Sequence, residues 1–366
     1  MSGRAMSGGA ARGSHPKVRG RGSSANPRSR FETLEVEAEE PNPDRVPTEL
    51  IADHSRTILS RNVSPDVPFD RSINPYRGCE HGCAYCYARP THEYLGYSAG
   101  LDFETRILVK HDAASLLRRE LSRPGYEPRV VAMSGVTDPY QPLERRLRIT
   151  RQVLEVLAEH RHPVQIVTKN HLVTRDLDLL AELAEHDAVS VHLSINSLDV
   201  ELVRRMEPRT SSPRLRLQAL EALHGAGVPC GVLVAPIVPA INDHEIPAVV
   251  AAAADAGARS AGYVMLRLPL GVAPLFEQWL EEHYPDRRQR VLHRIEELRG
   301  GERDGGRRNS SRFGERMRGV GAFAEQTRQL FEVSCRRAGL ATGQRGRFEL
   351  STAAFRRPGE QLSLLG

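Results

Sequence analysis

From Arg129 to Arg299 short apolar runs alternate with amphipathic stretches, and this rhythm restricts the fold more than any other feature of the chain. Buried-strand runs are predicted at Arg129–Met133, Pro163–Thr168, Ala188–Leu193, Val228–Ala235 and Ala261–Leu266. Helices are predicted between and after them, over Leu143–His160, Arg175–His186, Asp199–Met206, Pro213–Ala226, His244–Ala256, Ala273–Glu282 and Arg287–Arg299. Strands alternating with helices make βα units and a parallel sheet. A further short strand running into Ile73-Asn74-Pro75-Tyr76 brings the count to six, too few for a closed eight-stranded barrel. The fold class is α/β.

Three of the five cysteines sit together in Cys79-Glu80-His81-Gly82-Cys83-Ala84-Tyr85-Cys86-Tyr87, spaced CxxxCxxC. Thiolates suit zinc, copper(I) and iron–sulfur clusters. A structural zinc site closes with four ligands, and a fully ligated [4Fe–4S] cluster takes four cysteines. Three thiols leave one position open, where a small molecule can bind. Gly78 and Gly82 allow the backbone to curl so that the thiols converge. A zinc site completed by His81 or His92, or three unrelated thiols, are the competing readings of the same residues.

In parallel α/β folds, ligands sit at the carboxyl ends of the strands. Polar residues are found where each expected strand stops. Thr137 and Asp138 follow the second strand and can hydrogen-bond an ammonium; an Asp-Pro turn is the plainer alternative. Lys169, after the third, suits a carboxylate, or is a solvated lysine. Ser194 and Asn196, after the fourth, suit ribose hydroxyls or a carboxylate, or cap a helix. The fifth ends in Ala235-Pro236-Ile237-Val238-Pro239-Ala240-Ile241-Asn242-Asp243 and the sixth in Leu266-Arg267-Leu268-Pro269. Five such ends in order favour a ligand site over five coincidences.

The cysteine spacing, with an aromatic before the third thiol, resembles the signature of the radical S-adenosylmethionine (SAM) enzymes. That resemblance implies a partial (β/α)6 TIM-type barrel. It also implies a [4Fe–4S] cluster on Cys79, Cys83 and Cys86 whose fourth iron binds SAM, and reductive cleavage of SAM to a 5′-deoxyadenosyl radical. Over roughly residues 70–270 the chain looks like the spore photoproduct lyase and DNA repair photolyase branch. By that likeness Tyr85 and Tyr87 are catalytic or relay aromatics, and Tyr85, Thr137, Asp138, Lys169, Ser194 and Asn196 position SAM. One departure stands out: Gly135 occupies the place of the branch's hydrogen-returning cysteine, which argues against simple thymine-dimer reversal. The remaining thiols, Cys230 and Cys335, read as buried small residues.

Clustered cysteines without a disulfide pattern fit a reducing cytosol, so the expected location is cytoplasmic. No apolar run reaches the length of about 18 residues needed to span a membrane. The net charge of +5 is a tail effect: residues 1–30 carry seven Lys/Arg and no acid, leaving about −2 for the rest. We expect a disordered tail over residues 1–55, a core over 56–300, and an Arg/Gly-rich loop, helix and extension over 301–366. The resemblance implies SAM and a reductant such as flavodoxin or ferredoxin as partners. The same resemblance implies nucleic acid as the first substrate expectation; seven arginines against three acids over residues 299–318 agree with it, as do Tyr140 and Tyr263 as stacking platforms if they line the mouth. A peptide or protein side chain is the second. A non-catalytic iron–sulfur or electron-transfer module is the alternative outside enzymes.

Overall fold

The computed structural model describes residues 18–27, 29–31, 45–67, 69–301, 308–310, 312–343, 346 and 348–358. The chain enters through β1 (Glu49–Ala52), β2 (Leu59–Arg61), β3 (Arg71–Ile73) and β4 (Tyr76–Arg77). After the cysteine loop come α1 (Asp102–Thr105), β5 (Arg106–Val109) and α2 (Ala113–Leu121). The βα rhythm then runs through β6 (Val131–Met133), α3 (Glu144–Leu147), α4 (Ile149–Glu159), β7 (Val164–Thr168), α5 (Leu177–Ala184) and β8 (Val189–Ser194). It continues through α6 (Val200–Met206), α7 (Pro213–Gly225), β9 (Cys230–Ile237), α8 (Ile246–Asp255), β10 (Ser260–Met265), α9 (Val272–His283) and α10 (Arg288–Leu298). Finally α11 (Gly321–Arg337) leads into β11 (Ala341–Thr342).

The main sheet has the order β11-β10-β9-β8-β7-β6-β3-β2. Every pairing in it is parallel except β2 with β3. Its six central strands, β3 and β6 to β10, are the six expected, and the two edges do not pair: the barrel is partial. Parallel strands covered on both faces need apolar residues at successive positions. Accordingly Val189, Val191, Val232, Val234 and Met265 are all buried. Cys230 and Cys335 are buried in this same core, as expected.

Two expectations are corrected. The single helix over Leu143–His160 is broken at Arg148, whose φ of 55° is left-handed. The cause is Glu144, whose buried carboxylate turns forward to accept the Thr150 N–H at 3.0 Å and the Arg151 N–H at 3.4 Å, capping α4. The expected tail over residues 1–55 also contributes structure. β1 pairs in parallel with β5, Glu49 opposite Arg106, in a second small sheet of order β1-β5-β4. Residues 18–27 lie on the core, with Val18 buried and Ala25 O accepting the Leu101 N–H at 3.1 Å. Composition reads this segment as polar and unpatterned, but its backbone groups find partners some eighty residues away. Residues 1–17 and 32–44, also part of that expectation, lie outside the described residues.

The second sheet is tied down by Asp53, which accepts from Lys110 Nζ at 2.8 Å and pairs with Arg77 Nε at 2.9 Å. Burial opposes its ionisation, but bonds from Lys110 and Ser55 and the charges of Lys110 and Arg77 outweigh it and hold the carboxyl at about 2. A depressed carboxyl contributes stability above its ordinary value and loses it as pH falls through the folded value. Asp53→Asn should therefore lower stability by about 1–2 kcal/mol at neutral pH, and by much less below about pH 2. Urea melts across pH test this; an equal loss at both ends would show that charge is not the cause.

Candidate active site

The cysteine loop leaves β4 and curls at the carboxyl ends of the strands. Gly78 (φ 84°) and Gly82 (φ 66°) take left-handed turns as expected. A Cβ at Gly78 would stand 2.9 Å from His92, Ile107 and Phe103 atoms, so the loop closes only with glycine there. Cys79 N–H donates to Phe103 O at 2.9 Å, and Ala84 N–H to Met206 O at 3.0 Å, which fixes both limbs. Cys79 and Cys83 are buried and Cys86 is half-buried; all three are free thiols. Burial pushes the Cys83 and Cys86 thiols up, and each feels the charge of Cys79 and of Lys169.

Among the described residues no three His, Cys, Asp or Glu side chains converge tightly enough to hold a single ion. Of the two histidines in the zinc reading, His81 lies between Asp138 and the Cys79 thiol, and His92 is held away from the thiols. His81 contacts Asp138 Oδ2 at 3.4 Å and the Asn170 amide at 3.2 Å, while His92 Nε2 is 2.8 Å from Arg106 O. Three thiols on one loop that leave one position open are a donor set that suits a cluster, where each cysteine holds a different iron.

Residues that the sequence reading did not single out hold this loop from behind. Arg89 is fully buried and donates to Cys83 O through Nε at 3.0 Å and Nη2 at 2.9 Å. It also pairs with the buried Glu104 at 2.5 Å. Gln141 accepts the Glu80 N–H at 2.9 Å and donates to Thr137 Oγ1 at 3.1 Å. Their only sequence signal is a charged or amide residue inside an apolar context.

Asp138 sits among four donors: the Thr168 hydroxyl at 2.7 Å, the Lys169 N–H at 2.8 Å, the Tyr140 N–H at 2.9 Å and His81. Although burial opposes it, the His81 charge and these bonds hold its carboxyl at about 2; against its own burial, His81 is raised to about 9 by Asp138 and by Cys79. With about four lone-pair sites taken, Asp138 locks the β6 and β7 loops together and has no lone pair left for an ammonium. Thr137 Oγ1 likewise donates to Gly78 O at 2.7 Å, bracing the cysteine loop.

Lys169 and Ser194 are bonded to each other, and Asn196 follows Ser194 by two residues. Lys169 Nζ donates to Ser194 Oγ at 3.1 Å, and Ser194 Oγ donates to Ala235 O at 3.0 Å. Asn196 is 1% exposed, yet neither its side-chain nitrogen nor its oxygen has a partner. A buried amide left unsatisfied costs about 1–3 kcal/mol, so a polar ligand at this place would recover it. This set offers donors and acceptors of the kind that amino-acid and ribose groups use, and the Lys169 charge acts on the Cys83 and Cys86 thiols.

The two tyrosines of the loop differ. Tyr85 is buried, and its hydroxyl donates to Glu207, which in turn is paired with the buried Arg216. Arg216 continues to Ser194 O and Ser211 O, each at 2.8 Å. Tyr87 is half exposed, and its hydroxyl donates to Gly135 O at 2.7 Å. A Cβ at Gly135 would meet only the Asn74 amide, at 3.6 and 3.9 Å, so a cysteine there is not excluded by space.

Several supports for a nucleic-acid surface are corrected. Tyr140 is fully buried and Tyr263 is buried against Phe331, with ring centroids 4.7 Å apart, so neither can stack on a base. Arg308 bonds Glu277 and Glu296, Arg316 bonds Asp66, and Arg299 is buried against backbone carbonyls. Arg307 lies outside the described residues.

The Radical SAM superfamily model matches residues 73–253. An uncharacterised protein of Mycobacterium tuberculosis is 40% identical over 232 residues, 62% of this chain and 68% of its own length. Another, from Methanocaldococcus jannaschii, is 28% identical over 214 residues, 58% of this chain and 76% of its own. Among solved structures, a spore photoproduct lyase complexed with dinucleoside spore photoproduct is 18% identical at TM-score 0.58, covering 80% of this chain and 81% of that one. A point variant of spore photoproduct lyase is 20% identical at TM-score 0.57, with the same coverage. These structures share the fold. No helix among the described residues is long and apolar enough to cross a membrane. With the thiol loop at the strand ends and the match across the barrel strands, the chain belongs to the radical SAM superfamily of enzymes.

Proposed function

We propose that Cys79, Cys83 and Cys86 bind a [4Fe–4S] cluster with SAM on its open iron, and that the substrate is nucleic acid. The observation that carries this reading is the orphaned amide of Asn196, two residues after the Ser194 that Lys169 bonds, with Lys169 near enough for its charge to act on the Cys83 and Cys86 thiols. When bound, cluster and SAM supply one-electron cleavage of a C–S bond and a 5′-deoxyadenosyl radical. The chain's own residues bind and orient. Lys169 takes the SAM carboxylate, and Ser194 and Asn196 take its ribose or carboxylate oxygens. Thr137 and Asp138 act through the loops they brace. Tyr85, fixed by Glu207, lines the site, and Tyr87 faces the substrate side; both are proposed as catalytic aromatics. Holding the reacting atoms in close register provides most of the rate advantage.

The nucleic-acid substrate rests on the fold shared with a lyase solved with a dinucleoside photoproduct and on the half-exposed ring of Tyr87. The reaction is lyase-like or repair-like, but Gly135 leaves no thiol to return a hydrogen atom by the cysteine route. A cytoplasmic flavodoxin or ferredoxin is the proposed electron donor.

The test is anaerobic reconstitution with iron and sulfide, reduction with dithionite in the presence of SAM, and chromatography for 5′-deoxyadenosine. Wild type should form it, and Cys83→Ala should form essentially none. A cluster that reduces but never cleaves SAM, with DNA, RNA or peptide supplied, would leave a binding or electron-transfer module instead. Turnover with peptide and not with nucleic acid would select the protein-modifying reading.

A further inference from the structure

We infer that Arg267, together with the open face of Tyr87, docks a phosphodiester of the substrate strand. This rests on the nucleic-acid reading and gives it a specific contact. Arg267 follows the carboxyl end of β10 by two residues, which puts it at the mouth of the barrel. Its guanidinium carbon stands 5.5 Å from the centre of the Tyr87 ring. Tyr87 in turn reaches Gly135 after β6. The two side chains therefore bridge the open side of the partial barrel, across from Lys169 and Asn196 on the middle strands.

A guanidinium carries five N–H donors and needs acceptors when it leaves water. Arg267 has a poor set. Nη1 reaches only the thioether of Met317, at 3.5 Å, and Nε is buried without a partner. Among the described residues no carboxylate lies within ion-pair distance of it. The acid it senses is Asp66, whose oxygens are already taken by the Gly314 N–H and by Arg316. Arg316 and Arg299 stand close enough to add their positive fields. This leaves a half-buried cation in a positive neighbourhood, with an unsatisfied donor.

An anion would satisfy it, and its neighbour indicates which kind. A carboxylate would engage the guanidinium alone. A phosphodiester brings a base with it, and the exposed half of Tyr87 offers that base a stacking face. Arginine forks bind phosphate oxygens in pairs. The sites for SAM and for the phosphodiester would then occupy the middle and the open side of one mouth.

The test uses the full-length chain, reconstituted anaerobically, and the fluorescence anisotropy of a labelled single-stranded DNA oligonucleotide. Arg267→Gln should weaken binding about tenfold near 100 mM salt and lower the slope of log affinity against log salt by about 0.7. Arg267→Lys should restore the slope but not the full affinity. Arg337→Gln, an exposed arginine at the end of α11, removes the same charge far from the mouth and should change binding less than about twofold. Thymidylyl-thymidine and its uncharged methylphosphonate counterpart, used as competitors, should differ on wild type and compete alike on Arg267→Gln.

If wild type binds the oligonucleotide and Arg267→Gln matches it in affinity and slope, the docking point is wrong while the nucleic-acid reading stands. If wild type binds no oligonucleotide at any salt, that reading falls and this inference with it. Arg267-dependent binding of an acidic peptide, with oligonucleotide binding unaffected, would overturn the phosphodiester in favour of a carboxylate. Should Arg267→Gln fail to fold, the wild-type competitors decide: equal competition by the charged and uncharged dinucleotides overturns the proposal.

Discussion

Glu207→Ala is expected to destabilise the protein by about 3–5 kcal/mol, the cost of stranding a buried charge without its partner. Glu207 and Arg216 are each about 1% exposed or less and face each other in an ion pair. Despite burial, the charges of Arg216 and Lys169 and the Tyr85 hydroxyl hold the Glu207 carboxyl down, so it is ionised at neutral pH. Arg216 adds bonds to Ser194 O, Ser211 O and the Thr210 hydroxyl at 2.6 Å. Removing the carboxylate therefore leaves a guanidinium that cannot swing out to water without breaking the β8 end. Tyr85→Phe removes one hydrogen bond to a charged group and should cost about 1.5–3 kcal/mol. The double change Glu207→Ala with Arg216→Met should recover part of the single loss, with a coupling of about 2 kcal/mol. Urea unfolding of the apo-protein reads all of these. A loss below about 1 kcal/mol for Glu207→Ala would mean that water reaches the pair in solution.

The consequence reaches the site through geometry. Ser194 O accepts from Arg216 while Ser194 Oγ accepts from Lys169, so the same residue joins the ion pair to the proposed SAM site. Tyr85 links that pair to the cysteine loop between Cys83 and Cys86. One buried charge pair thus sets the relative position of the thiols and the lysine.

Local signals explain what the sequence makes legible. The thiol spacing lies within eight residues, and the six strands announce themselves by continuous apolar runs, so β6 to β10 fall where expected. Polar residues at strand ends follow from the topology alone. Which of them keep unpartnered hydrogen-bonding groups does not, because Asp138 and Asn196 look equivalent in sequence. One has filled its lone pairs with His81, Thr168, Tyr140 and Lys169, while the other has none filled. The same limit misplaces Tyr263, whose strand position does not say that Phe331 of α11 covers it. Arg148 breaks a helix with no glycine or proline to mark it, since the cause is the forward reach of Glu144. Arginines over residues 299–318 read as a free cationic patch because Asp66 and Glu277 are distant in sequence. The segment around Arg21 reads as tail for a similar reason.

That segment supports the last prediction: Gly22→Val should leave the fold standing but loosen the proposed cluster. Residues 21–25 lie across the outside of the cysteine loop. Arg21 donates to Glu104 O at 2.7 Å, Val46 O at 2.9 Å and Thr48 Oγ1 at 3.0 Å. The Gly22 N–H donates to Glu104 Oε2 at 2.9 Å. Glu104 holds Arg89, and Arg89 holds Cys83 O, so a chain of charge-assisted bonds runs from the strap to a thiol-bearing residue. A Cβ on Gly22 would stand 1.6 Å from Gly82 O, a contact that side-chain rotation cannot relieve. Valine must lift the strap, which frees one carboxylate oxygen of Glu104 and slackens the loop between Cys79 and Cys83. Few core contacts are lost, so the apo-protein should unfold within about 1 kcal/mol of wild type. Iron retained per chain after desalting should fall several-fold, and bleaching of the cluster absorbance in air should accelerate by a similar factor. Gly225→Ala, at the end of α7 with nothing within 4 Å of the added atom, should change neither. Unaltered iron retention and bleaching in Gly22→Val would show that the strap merely rests on the loop. A fall of both with unfolding unchanged would assign residues 21–25 to holding the cluster.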